Sequence, residues 1–266
     1  MNALPDSRVL VVLNAGHAAD EGIALAARLA ACLQANVHAL LVEDQSLLDA
    51  AALPFTSIVA RRGVTPPEFS LSAVERALNQ AEQDVRAAFS AQAHRLHLSW
   101  TMQRQRGDLA TSLSACAVAS DIVVLPADRS RARPPQLMGE LRQVTTQVRG
   151  FVLPPRQHAA RSRHSGPVVA IDVDDHAGAA VVSLASQLAA GMDCPLRVIS
   201  LAGSALDNVD DLAARLRSIA PSLLVASLHA GEPASETALA SLQDAARAPV
   251  LLLCSEHTHA ATAGRN

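Results

Sequence analysis

Short unbroken apolar runs alternate along this chain with longer stretches of helical period. Residues 8–13, centred on Val9-Leu10-Val11-Val12-Leu13, form a continuous run, the pattern of a parallel strand covered on both faces. Residues 20–35 carry Ile23, Ala26, Ala27, Ala30 and Leu33, the spacing of one helix face. A second strand is predicted over 36–42, a long helix over 71–93 and a third strand over 96–104. Asp108 stands where a helix N-cap is expected, ahead of Leu109, Leu113 and Cys116 on an inward face. A fourth strand covers 121–125. Leu137, Leu141, Val144 and Val148 predict a helix over 137–148, and a short fifth strand covers 150–153.

The second part of the chain repeats this order. Pro167–Asp172 opens it as a new apolar run. An alanine-rich helix follows, then a strand at 196–201, a helix at 207–220, a strand at 223–227, a helix at 234–247 and a last strand at 250–253. Leu29-Ala30-Ala31 falls on Leu188-Ala189-Ala190, 159 residues later. Nothing in this part corresponds to residues 44–104, so four strands are expected against five. A duplicated βαβ unit with right-handed crossovers predicts α/β architecture: two tandem, doubly wound parallel-sheet domains. The expected boundaries are 1–153 for the first, 154–166 for an exposed linker beginning Pro154-Pro155, 167–255 for the shorter second and 256–266 for a flexible tail. The terminal strands, 151–153 and 250–253, would be unprotected apolar edges. An intrachain pseudo-twofold pairing of the two halves through these edges is therefore expected, with a further homodimer possible.

Composition narrows the function. Half the residues are apolar, yet aromatics are only 2%, so the cores must be built from Ala, Leu and Val. The net charge of −3 gives no electrostatic reason for a nucleic-acid partner. No apolar run reaches the roughly 18 residues needed to cross a bilayer, and the N-terminus lacks a signal-peptide core; the expectation is a cytoplasmic protein without membrane insertion. Every basic residue is arginine, which excludes a Schiff-base lysine and a Walker lysine. Cys32, Cys116, Cys194 and Cys254 are far apart without a CxxC and read as reduced, structural thiols. The close pairs His94/His97 and His257/His259 bring no third ligand, so no zinc site is expected. No nucleophile elbow or acid–base pair is visible, and no catalytic residue is assigned.

Ligands of doubly wound sheets bind beyond the carboxyl ends of the strands, where strand order reverses. The loops to inspect therefore follow strands one and four: Asn14-Ala15-Gly16-His17, its counterpart Asp172-Val173-Asp174-Asp175, and Pro126-Ala127-Asp128-Arg129 with Gly139-Glu140 beyond. Three carboxylates at 172, 174 and 175 invite a metal reading, although acidic residues before a helix more often serve as caps.

With these loops, the Arg106-Gly107-Asp108-Leu109 entry to a helix and the run Ala119-Ser120-Asp121-Ile122-Val123-Val124-Leu125, the chain resembles the universal stress protein family in its tandem-domain form. The stretch from Glu43-Asp44-Gln45-Ser46-Leu47-Leu48 to Leu53-Pro54-Phe55 is similar to a proteobacterial branch of that family. The resemblance implies a role in stress response. It also implies an ATP site made by Gly-x2-Gly-x9-Gly-Ser/Thr after strand four and an Asp ending strand one.

Laid on the first half, the spacing survives and the chemistry does not. Pro126 has no N–H for a phosphate, Arg129 stands at the second glycine, Gly139 remains, and Glu140 replaces the hydroxyl. A carboxylate there repels a polyphosphate from a helix N-terminus. Asn14 holds the Asp position. In the second half Asp172 is present, but Ser227-Leu228-His229-Ala230-Gly231 lacks paired glycines. The candidate ligand-binding residues are thus Asn14, Val42, Arg106, Gly107, Pro126, Arg129, Arg131, Gly139, Glu140 and Asp172, read as a degenerate nucleotide site. No cofactor is expected. The alternative is ATP, held in a nucleotide switch or weak ATPase by the side chains of Arg129, Arg131 and Arg133. The segment 44–67, with Leu47, Leu48, Leu53, Phe55 and Ile58, is too apolar for a solvated loop. It would close the pocket mouth, contact an unknown protein partner or cap the core end.

Overall fold

A computed structural model of the chain describes residues 8–14, 20–53, 70–125, 144, 146–155, 166–173, 176–201, 209–228 and 236–254. Among these residues nine strands alternate with seven helices. They run β1 (Arg8–Asn14), α1 (Asp20–Leu33), β2 (Asn36–Glu43), α2 (Gln45–Ala52), α3 (Leu71–Leu96), β3 (Trp100–Arg106), α4 (Leu109–Cys116), β4 (Asp121–Val124) and β5 (Gly150–Leu153). There follow β6 (Val168–Val173), α5 (His176–Gly191), β7 (Leu196–Leu201), α6 (Val209–Ile219), β8 (Leu223–Leu228), α7 (Glu236–Ala246) and β9 (Val250–Cys254).

All nine strands form one sheet, in the order β3-β2-β1-β4-β5-β9-β8-β6-β7. Every neighbouring pair is parallel except β5 with β9, which is antiparallel. The two edges that needed covering thus cover each other. Read outward from that junction, β5-β4-β1-β2 and β9-β8-β6-β7 have the same connectivity, and β3 extends only the first side. At the junction Phe151 faces Leu252, Val152 faces Leu251 and Leu153 faces Val250, a register symmetric about the Val152–Leu251 pair. Gly150 is required here by space: a Cβ on it would lie 2.5 Å from the Leu252 carbonyl oxygen.

Side-chain alternation sorts the continuous apolar strands into two layers. One face buries Leu10, Val12, Leu40, Val42, Val123 and Phe151 with residues of α4, α6 and α7. The other buries Val9, Val11, Ala39, Leu41, Val124 and Val152 with residues of α1, α3 and α5. Phe89 of α3 stacks on Trp100 of β3, their ring centroids 5.2 Å apart, so this aromatic pair packs the outermost strand of the larger side, while Phe151 is buried at the central junction.

Several boundaries differ from the sequence expectations. The third strand begins at Trp100, not 96, because α3 runs on to Leu96 and ends at His97 in the left-handed region (φ 53°). The helix expected through 148 has already ended before Val148: Gln147 N–H donates to the Val144 carbonyl in a turn. Leu137 and Leu141 lie outside the described residues. The apolar stretch after β2 contains a helix that periodicity did not announce, α2, capped by Asp44, whose side chain accepts from Ser46 N–H. Leu48 and Ala51 pack on Val74 and Leu78 of α3 as a small separate cluster, whereas Leu47 and Leu53 are exposed. Phe55 and Ile58, on which the lid reading also rested, lie outside the described residues. Pro154, first residue of the expected tether, is partly buried, and its carbonyl accepts a 3.1 Å hydrogen bond from Gln243 Nε2 of α7.

Candidate functional site

The carboxyl ends of β1, β2 and β3 form a rim on the first side of the sheet. Asn14 ends β1 with its backbone in register with Val42, and Val42 is buried in the α4-side layer. One residue further, Glu43 is in register with Arg106, and Leu41 with Arg104. Two-residue alternation brings Arg104 and Arg106 to the same face of β3, so both guanidinium groups converge on Glu43.

The result is a buried carboxylate between two arginines. Glu43 is fully buried. Arg106 Nε donates to its Oε2 at 3.0 Å, and Arg104 Nε is ion-paired with its Oε1. Arg104 also donates to Glu82 Oε2 at 3.1 Å and Asn79 Oδ1 at 2.9 Å on α3. Burial draws the Arg104 pKa down, but the hydrogen bonds and charges of Glu43 and Glu82 outweigh it, and the net shift is upward. Burying a lone charge in such a place is costly, and the two guanidinium groups offset that cost. The network fastens the outer strand and α3 to the rim.

Gly107 follows with φ +142°, a conformation side chains rarely adopt, and its N–H donates to the Glu43 carbonyl at 3.0 Å. Asp108 then caps α4 as its position in the sequence predicted. Its carboxylate accepts from Thr111 N–H at 2.9 Å and Thr111 Oγ1 at 2.7 Å, which depress its pKa. That carboxylate occupies the place an anionic ligand would take at this helix N-terminus. Just inside, the Ser112 hydroxyl is buried without a partner among the described residues.

Of the ten candidate residues, Asn14, Val42, Arg106 and Gly107 are therefore brought together at one rim. Pro126, Arg129, Arg131, Gly139 and Glu140, with Arg133, lie outside the described residues; Leu125, buried, is the last described before them. Asp172, read from the sequence as the counterpart of Asn14 in the second half, lies on β6, across the β5–β9 junction from β1. It pairs with Ser200, whereas Val173 pairs with Leu201. Leu13 pairs with Leu41 and Asn14 with Val42, so Asp172 is level with Leu13. Because β5 and β9 are antiparallel, the carboxyl end of β6 also lies on the opposite sheet edge from that of β1.

Sequence reasoning missed Glu43, Arg104 and Glu82 as parts of the rim. A signal for the first two existed: an acid ending an apolar strand, and arginines two apart on the neighbouring strand. A second buried acid stands at the opposite, amino end of the sheet. Asp121 accepts from Arg8 Nε at 2.8 Å and Nη2 at 2.6 Å, and from Val118 N–H at 2.9 Å. It clasps β4 to β1, away from the Glu43 rim. Among the described residues no three His, Cys, Asp or Glu side chains gather as a metal site.

Solved structures share the fold over nearly the whole chain. A universal stress protein from Archaeoglobus fulgidus DSM 4304 superposes with a TM-score of 0.55 at 10% identity, covering 92% of this chain and 95% of that one. A protein assigned as a universal stress protein from Pseudomonas aeruginosa UCBPP-PA14 gives 0.56 at 14% identity, covering 97% and 98%. The chain has the universal stress protein fold. The cytoplasmic domain of a prokaryotic cation chloride cotransporter also shares it, with a TM-score of 0.53 at 11% identity and coverage of 95% and 96%, so the universal stress protein fold does not by itself specify one task. No family model matches the sequence, and no curated protein matches it. Among the described residues no helix is long and apolar enough to cross a membrane.

Proposed function

We propose that this chain is a tandem universal-stress-like protein that works by binding or regulation rather than catalysis, and without ATP. The observation that carries the reading is the residue set following β4. On this fold the loop after β4 is where phosphates would be cradled, and here it supplies Pro126, Arg129 and Glu140 in place of bare amides and a hydroxyl. The rim supports the same reading. Arg106 is committed to Glu43, and the α4 N-terminus is filled by the Asp108 carboxylate. The repeated connectivity on both sides of the β5–β9 junction, with the recurring 159-residue spacing, supports duplication as the origin of the second half.

Equilibrium dialysis and thermal shift with ATP, ADP, AMP and cyclic nucleotides test the proposal. The expected result is no saturable binding at micromolar nucleotide. Saturable ATP binding that disappears on Arg129→Ala or Arg131→Ala would replace it with the rival, a nucleotide switch holding phosphate by side chains.

A further inference from the structure

The ends of α1 and α5 carry the same C-terminal turn. After α1, Ala35 N–H donates to the Ala30 carbonyl at 2.9 Å and Gln34 N–H to Ala31 at 3.3 Å, with Gln34 at φ 53°. After α5, Cys194 N–H donates to Ala189 at 3.0 Å and Asp193 N–H to Ala190 at 3.3 Å, with Asp193 at φ 52°. This paired-bond, left-handed termination folds the residue after the turn back along the last helical turn. Position by position, Ala35 corresponds to Cys194, and Cys32 corresponds to Gly191.

Those last two residues touch. A Cβ on Gly191 would stand 2.7 Å from Cys32 Cβ and 2.9 Å from its Sγ. Equivalent residues meet only beside the axis relating the two sides, which passes through the Val152–Leu251 pair; Cys32 packs against that apolar layer, and Gly191 is exposed. The missing side chain at 191 leaves the notch that the Cys32 sulfur fills. Cys194 is held one turn beyond Gly191, and both cysteines are half-buried against this layer. Burial pushes the Cys32 thiol up, Arg28 one turn earlier pulls it down, and the neighbouring Cys194 adds a smaller upward push. Cys116 and Cys254 lie against the opposite layer, across the sheet.

We propose that Cys32 and Cys194 are a hydroperoxide-sensitive thiol pair that closes a disulfide across the two sides of the molecule. One thiolate attacks an oxygen of hydrogen peroxide, the O–O bond breaks and hydroxide leaves, taking up the proton that this thiol released, so that a sulfenic acid and water form. The other thiolate then attacks that sulfur, the S–S bond forms, the S–O bond breaks and hydroxide leaves to take up the proton released by the second thiol. Two thiols are oxidised and one peroxide is reduced to two waters. The burial-raised Cys32 thiol makes the reaction faster in mild alkali than at neutral pH.

The full-length chain, reduced and freed of reductant, is treated with a small excess of hydrogen peroxide, then denatured, alkylated and mapped without reduction. The expected result is loss of half the titratable thiols and a linked Cys32–Cys194 peptide, reversed by dithiothreitol and absent from Cys32→Ser and Cys194→Ser variants. The proposal is overturned by sulfinic acid on either cysteine without the linked peptide, by linkage to Cys116 or Cys254, or by links between chains alone.

Discussion

β2 and β7 occupy equivalent places in the sheet, one strand outside β1 and β6 respectively, and they fare differently. Along β2, Val37, Ala39, Leu40, Leu41 and Val42 are all buried, because β3 pairs with its outer edge and α3 covers one face. On β7 only Ile199 is fully buried, and Val198, the counterpart of Ala39, is 45% exposed. Among the described residues no strand pairs with the outer edge of β7. Its sequence has adjusted: Arg197 and Ser200 stand where β2 has His38 and Leu41. The lesson is that a strand's place in the fold does not set its burial; the neighbour beyond it does. Polar residues at an open edge also discourage pairing with another chain.

Removing α3's anchor should separate the two flanks most sharply. Phe89→Ala empties the stack on Trp100 and should lower stability by about 3–5 kcal/mol in urea unfolding, an effect with no counterpart beside β7. If the loss were under about 1 kcal/mol, α3 would not be what buries β2. A matched pair at equivalent positions comes next. Leu41→Ala should cost about 3 kcal/mol, and Ser200→Ala should stay within about 0.5 kcal/mol; equal effects would erase the distinction.

The rim network is the third lever. Glu43→Gln leaves Arg104 and Arg106 without their shared counter-charge, but these side chains are 29% and 55% exposed and can reach water. Screening reduces the penalty of an unpaired buried charge to about 2 kcal/mol. Glu82→Gln, at the better-hydrated end of the same network, should matter less in the same unfolding assay. The smallest effect is one of pH. His38, on β2, donates or accepts at Thr101 Oγ1 at 2.7 Å, and burial followed by the charge of Arg8 lowers its pKa below 6.5. The unfolded chain then binds the proton more readily than the folded one. The stability His38 contributes is complete above pH 6.5 and is lost as pH falls toward its folded value. His38→Gln should flatten that acid slope measured in urea, whereas Arg197→Gln at the matching position of β7 should leave it unchanged.

Much of this architecture was legible in advance. Continuous apolar runs announced strands covered on both faces, helical spacing announced α1 and α4, and Asp108 announced its cap, because each depends on residues within a turn or two of one another. The mutual pairing of the apolar edges β5 and β9 followed from an elementary need to satisfy exposed backbone groups. The short helix α2 was not legible: its eight residues are too few to establish a period, and its buried side depends on Val74 and Leu78 of a distant helix. The rim was half legible. Asn14, Val42, Arg106 and Gly107 were expected there, but the partner that immobilises Arg106 was not, since Glu43 and Arg106 become neighbours only through strand register.

What the residues determined on their own was local: which stretches extend, which coil, where a helix starts, and that Pro126, Arg129 and Glu140 follow β4 in the chain. Tertiary structure decided everything that depends on register and on the antiparallel junction. It set Asp172 level with Leu13, turned the carboxyl ends of β1 and β6 to opposite edges, buried Glu43 between two arginines and brought Cys32 onto Gly191. The physical reason is range. Backbone preference and side-chain period act over a few residues, whereas charge pairing and close packing act over a few ångströms, between residues that only the folded chain makes neighbours.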